Sequence, residues 1–213
     1  MDSIASRLGA CRDSIRAIEQ SIIENEPDRP DNWIQLDLVS LQVRKICELF
    51  LLGSMLAHLG EGKAEIDPRK WRPKDAFAQL NQVNVHPLPV PLLPDLIDQG
   101  SGVRQLQPAS RPMPFAVLSS IYGHCGDLLH VPSAEKVLSE RVTPFDIRKF
   151  KGWTEGFAQI LAAHVLMLPA LQSVLVCTWG RNPKMSPNII LLETDGPAVF
   201  AIDSLPEFSL LSI

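Results

Sequence analysis

The segment Ser120-Ile-Tyr-Gly-His-Cys-Gly-Asp-Leu-Leu-His130 holds the residues best suited to chemistry. His124 and His130 each stand three positions from Asp127. An imidazole titrates near neutral pH and can take or give a proton in a reaction. A carboxylate one helical turn away can orient such a ring and raise its pKa. This grouping can cleave an RNA phosphodiester without a metal. His130 would act as base or acid and Asp127 would orient it. His124 would be its partner or a phosphate contact. One group takes the proton of the ribose 2′-hydroxyl and another protonates the leaving oxygen. The simpler alternative is that polar residues occupy the outward face of an amphipathic helix.

A helix over residues 114–131 would position them. At about 100° per residue, Leu118, Ile121, Tyr122, Cys125, Leu128 and Leu129 fall within one arc of about 120°. His124, Asp127 and His130 lie opposite that arc. Glycine inside a helix costs about 1 kcal/mol relative to alanine, so Gly123 and Gly126 mark close approach of another backbone. A helix–helix or dimer contact at this face would account for them.

The elements around this helix read as follows. A first helix runs from Ser3 to Asn25, with Ile4, Leu8, Cys11, Ile15, Ile18 and Ile22 on one stripe. Pro27 and Pro30 end it, and Asp31 or Asn32 can cap the next helix, over 32–60. That second helix is apolar on most of its circumference, which suits the centre of a bundle. Arg44 and Glu48 stand four apart on it and can form a structural ion pair. Pro73 opens a short helix to Val83. Residues 84–114 hold seven of the 18 prolines and read as an irregular insertion whose leucines pack on the bundle. A short helix is expected near 133–140. Thr143 as cap, Pro144 and Asp146 then open a helix running to Leu168, with Ile147, Phe150, Phe157, Leu161, His164 and Leu168 on its stripe. His164 reads as a hydrogen-bonded core histidine. Strands follow at 173–179, 188–194 and 198–203, with a tight turn at Thr194–Pro197.

The fold class is therefore mainly α. Residues 1–170 form a helical bundle and residues 171–213 a small three-stranded antiparallel β element packed on it. The chain has 213 residues, enough to bury a core without disulfide or metal. Twenty basic residues stand against 24 acidic ones, a formal charge of −4. A globally basic nucleic-acid binder is thereby disfavoured, though a local patch is not. Cys11, Cys47, Cys125 and Cys177 form no C-x-x-C pair, so no metal and no redox motif is expected and the thiols read as buried and reduced. The N-terminus shows no leader pattern, and a cytoplasmic setting is expected. Residues 156–180 carry no charge, yet Gln159, His164, Pro169, Gln172 and Ser173 interrupt them, so a helix and a strand are expected rather than a membrane span.

Arg44-Lys45-x-x-Glu48 in a very apolar helix, the proline-rich middle, and Tyr122-x-x-Cys125-Gly126-x-Leu128-Leu129-His130 together resemble a group of uncharacterised bacterial helical proteins. More distantly the chain resembles the HEPN superfamily. In that superfamily an arginine precedes a histidine by five to seven positions on one helix. Its members pair two such motifs across a dimer as metal-independent RNases, in toxin–antitoxin and phage-defence systems. Here His130 matches the histidine, but the arginine position falls on His124 or Cys125. The resemblance implies an RNA-associated protein of stress or defence type, without cofactor, that dimerises or meets a partner protein. A non-catalytic dimerisation or protein-interaction module is the alternative it leaves open.

Two further segments carry a functional and a plain alternative. Arg69, Lys70, Trp71, Arg72 and Lys74 can hold phosphate and stack a base, or form a solvated turn. Residues 84–114 can cover a small-molecule pocket. No Walker loop, G-x-G-x-x-G, H-E-x-x-H or G-x-S-x-G pattern occurs.

Overall fold

A computed structural model describes residues 2–24, 30–60, 62, 67, 73–84, 86–93, 97–98, 104–105, 107–130, 146–178, 188–193, 205–206 and 208. Among them are five α-helices: α1 (Asp2–Ile23), α2 (Pro30–Gly60), α3 (Pro73–Val83), α4 (Phe115–Leu129) and α5 (Ile147–Ala162). The strands are β1 (Val90–Pro91), β2 (Ile97–Asp98), β3 (Arg104–Gln105), β4 (Ala163–Leu168), β5 (Ser173–Thr178) and β6 (Asn188–Glu193). The fold is mainly helical with an antiparallel sheet. No described helix is long and apolar enough to cross a membrane.

The chain divides into two compact units. One comprises Met1–Glu48, Ala116–Gly156 and Leu210–Ile213; the other comprises Leu49–Phe115 and Phe157–Ser209. The boundary cuts through α2 and α5, so each of these helices serves both units.

In the first unit α1 buries Ile4, Leu8, Cys11, Ile15 and Ile18 as its spacing requires. Ile22, the last member of the expected stripe, is exposed instead. α2 supplies Val39, Val43, Ile46 and Cys47, α4 supplies Leu118, Ile121 and Cys125, and α5 supplies Phe150. Each large apolar side chain so buried contributes about 1.5–3 kcal/mol. Polar ties fix the pairings. Arg7 Nη1 donates to Gln42 Oε1 at 2.6 Å. Buried Asn32 Nδ2 donates to Ser21 Oγ at 3.0 Å. Lys151 Nζ meets Glu19 Oε1 at 3.2 Å. α2 begins at Pro30 rather than at an Asp31 or Asn32 cap, because proline fits the first turn and the Asn32 amide is engaged with Ser21. α5 is capped by Asp146, whose Oδ1 accepts the Arg148 N–H at 3.0 Å. Thr143 and Pro144 lie outside the described residues.

In the second unit the latter half of α2 buries Leu51, Met55 and His58, and Phe50 stacks on Phe157 at 5.2 Å. α3 buries Ala76 and Leu80, and Phe77 meets Phe115 edge-on at 5.1 Å. The sheet has the order β1-β4-β5-β6, antiparallel throughout. Its register aligns Val90, Val165, Val176 and Ile190 across all four strands. Val90, Leu92, Ala163, Val165, Met167, Val174 and Val176 cluster on one face.

Three sequence expectations change here. The helix expected to reach Leu168 ends at Ala162, and Ala163–Leu168 is a strand whose six residues are all buried. A strand covered on both faces is apolar at every position and cannot be told from a buried helix by periodicity. The expected three-stranded element becomes a four-stranded sheet, because β4 comes from that stretch and β1 from the proline-rich segment. That segment is also less irregular than expected: besides β1 it carries the antiparallel pair β2–β3, and its Leu88, Val90 and Leu92 are buried. The strand expected at 198–203, its turn at 194–197 and the helix expected at 133–140 lie outside the described residues. β4 turns into β5 through a 3₁₀ turn, Pro169–Leu171, and Gln172 at φ 46°, which lies in the left-handed region. Exposed Ile189, Ile190, Leu191 and Leu192 carry the apolar pattern of the sheet onto both faces of β6.

Candidate functional site

The three residues singled out on α4 differ in their surroundings. Asp127 and His130 are exposed. The His130 N–H bonds Gly126 O at 3.1 Å, which extends the helical pattern one residue past Leu129. His124 is not on the outward face. It is half-buried, with its ring edge-on to Trp153 at 5.3 Å and tilted against Phe150 at 6.1 Å. Its Nε2 is buried and makes no hydrogen bond among the described residues. A helical wheel orients a residue relative to its own helix's apolar arc. It does not show that α5 covers one flank of the polar side. Trp153 stands one turn after Phe150, and that spacing is the signal in the sequence that could have found it.

The electrostatics follow this placement. Burial and the nearby Lys149 ammonium hold the His124 pKa below its ordinary 6.5, while Asp127 and Asp146 pull it partly back. A ring that resists protonation and closes Nε2 to solvent is a poor proton shuttle to an outside substrate. Asp146 titrates below the ordinary range because the Arg148 side chain donates to it.

The two sequence patterns on α2 and α4 do come together. Arg44 Nη2 donates to Tyr122 Oη at 2.8 Å, and the guanidinium carbon lies 4.5 Å from the centre of the Tyr122 ring. Arg44 Nε is 3.8 Å from Glu48 Oε1, and Lys45 Nζ is 2.7 Å from Glu48 Oε2. Tyr122 Oη closes the ring of contacts at 3.5 Å from Glu48 Oε1. Arg44 and Glu48 side chains keep only 24% and 17% of their exposure. A part-buried guanidinium is tolerated here because an aromatic face, a hydroxyl and a carboxylate surround it. The expected Arg44–Glu48 pair is present, and it is one arm of a latch between α2 and α4.

Gly126 belongs to this latch. A Cβ there would lie 3.2 Å from Arg44 Nη1, so the missing side chain makes room for a guanidinium rather than for another backbone. Gly123 has open space beside it. The backbone approach expected from these two glycines is therefore corrected at both positions.

Cys11 on α1, Cys47 on α2 and Cys125 on α4 are buried thiols of the same unit. Burial pushes Cys11 and Cys125 up to about 12 and raises Cys47 well above 9.0. All four cysteines are free and buried, so none is poised as a nucleophile. Among the described residues no group of three His, Cys, Asp or Glu is arranged to hold a metal. His164 is a buried core histidine, as read, but on a strand; its Nδ1 donates to Ile160 O at 2.9 Å. Arg69, Lys70, Trp71 and Arg72 lie outside the described residues, as does the side chain of Lys74 in the first turn of α3. Compared with family models, curated proteins and solved structures, the chain matches none.

Proposed function

We propose that the chain is a non-catalytic protein-interaction module, a degenerate form of the HEPN-like helical domain it resembles. One observation carries this reading: Arg44, Glu48, Tyr122 and His124 are engaged in holding helices together. Arg44, Glu48 and Tyr122 latch α2 to α4, and the His124 ring packs on Trp153. A general base needs a lone pair within reach of substrate, and His124 Nε2 is buried. Four free thiols suit a reducing, cytoplasmic setting.

The second reading is the metal-independent RNase. What favours it is that Asp127 and His130 are both exposed at the end of α4. One assay separates the two. Wild type and His130→Ala are incubated without metal with total RNA and a defined tRNA. The module reading expects no cleavage from either. Cleavage by wild type that His130→Ala abolishes, with its fold intact by circular dichroism, would replace it with the nuclease reading.

A further inference from the structure

We infer that the second half of α2, residues 49–60, is the face through which the chain pairs with a second copy of itself, the two helices running antiparallel. This rests on the interaction-module reading and names the partner.

Residues 49–60 include no Asp, Glu, Lys or Arg. A helix so apolar is expected to be enclosed on every side. One side is open instead. Phe50, Leu51, Ser54, Met55 and His58 are buried, while Gly53, Leu56 and Gly60 are exposed and Leu49 is half-buried, all within the second unit. At about 100° per residue, Leu49, Gly53, Leu56 and Gly60 fall within one arc of about 60°, opposite the buried residues. They stand four, three and four positions apart, so each is the next one's neighbour on the helix surface and the face is continuous. Leu56 within it is 54% exposed.

Gly53 is an independent observation. Glycine inside a helix destabilises it relative to alanine and suits a place where another backbone comes close. No left-handed backbone requires glycine at this position. A Cβ placed at Gly53 or at Gly60 would have nothing within 4 Å. The single chain leaves that room empty.

The pattern selects a second copy. Along the face the side chains run large, small, large, small, and the spacing of four, three, four reads the same in both directions. A two-fold axis across the helix sets one copy reversed against the other. Leu56 of each copy then meets the room beside Gly53 of the other, and Leu49 meets the room beside Gly60. Large faces small at every position, which lets the two helices approach closely. A parallel pair would set leucine against leucine and glycine against glycine. The face carries no charge, so a second copy neither buries a charge nor opposes like charges. Nucleic acid finds on it no cation to hold phosphate and no aromatic ring to stack a base. A helix that lies on lipid carries lysines or arginines beside its apolar face, and residues 49–60 hold neither. The face is small beside the roughly 800 Å² per partner of a standard interface, so the pair is reversible and concentration-dependent.

The test is sedimentation equilibrium of the full chain from about 5 to about 500 µM, a range that brackets a weak interface. The mean mass is expected to rise from that of one chain toward that of two. Leu56→Glu puts a carboxylate into the uncharged contact and should weaken association by about tenfold or more. Gly53→Ala fills the room that Leu56 of the other copy needs. It should weaken association by about fivefold or more while raising the Tm measured at the lowest concentration. A merely structural role for Gly53 would move the Tm alone. Leu171→Glu makes the same charge change at an exposed leucine outside the face and should leave association unchanged. Thermal melts check that each variant folds. A single-chain mass at every concentration overturns the inference. So does association that Leu56→Glu and Gly53→Ala leave unchanged, since the contact then lies elsewhere. If the chain stays single and the RNA assay is silent, only the identity of the partner fails. If wild type cleaves RNA and His130→Ala does not, the module reading fails whatever the mass does.

Discussion

At His124 the ring touches the edge of Trp153, and its Nε2 is out of water with no hydrogen-bond partner among the described residues. Protonating it in place puts a charge on that buried nitrogen. The unfolded chain takes that proton near the ordinary 6.5, and the folded protein takes it only at lower pH. As pH falls below about 6.5 the unfolded state binds the extra proton first, so stability present at neutral pH declines until pH passes the folded value. His164 adds a contribution of the same sign, because burial holds its pKa down despite the bond to Ile160 O. His124→Phe keeps an aromatic ring against Trp153 and removes the proton. Urea unfolding at about pH 7.5 and about pH 5.5 should show a smaller acid loss in the variant than in wild type, with the His164 share remaining. An equal loss in both would show that His124 carries none of the linkage. The Arg44–Glu48 spacing was legible at this scale because both residues lie on one helix. Tyr122, 78 positions from Arg44, was not, since no local pattern pairs residues across that distance.

Among the elements, legibility followed whether one face or two were covered. α1 and α4 read clearly because each buries one stripe and leaves the other side wet. β4 misled because it is buried on both faces, and an uninterrupted apolar run fits a helix as well as a strand. β1 was hidden for another reason. Only two residues pair, one of them Pro91, in a segment whose prolines argue against regular structure. The glycines of α4 were visible as anomalies, but what they accommodate required the neighbouring helix. Their difference can be measured. Gly123→Ala adds a methyl group in open space and removes the backbone entropy cost of glycine, so it should stabilise by about 0.5–1 kcal/mol. Gly126→Ala must displace the tip of Arg44 by a few tenths of an ångström and disturb its hold on Tyr122. Its gain should be smaller or reversed. Equal gains in chemical denaturation would mean that the guanidinium gives way freely and that Gly126 is no part of the latch.

For the molecule as a whole, the four thiols report how the two compact units unfold. Cys11, Cys47 and Cys125 belong to the first unit and Cys177 to the second. All are buried, and burial raises the pKa of each, so the reactive thiolate is scarce and shielded in the native state. Modification by an aromatic disulfide reagent at mildly alkaline pH should therefore proceed only through opening of the structure. α2 and α5 each pass from one unit into the other without a break, so melting either unit frays a helix that the other needs. Cooperative unfolding of the whole described fold is the expected consequence. Mass spectrometry of partly labelled protein should find chains with none or all four cysteines modified, with few in between. Cys177 labelled alone would mean that the second unit opens while the first stays folded. In that case the continuous helices would not transmit the loss, and the two units would have to be assigned separate stabilities.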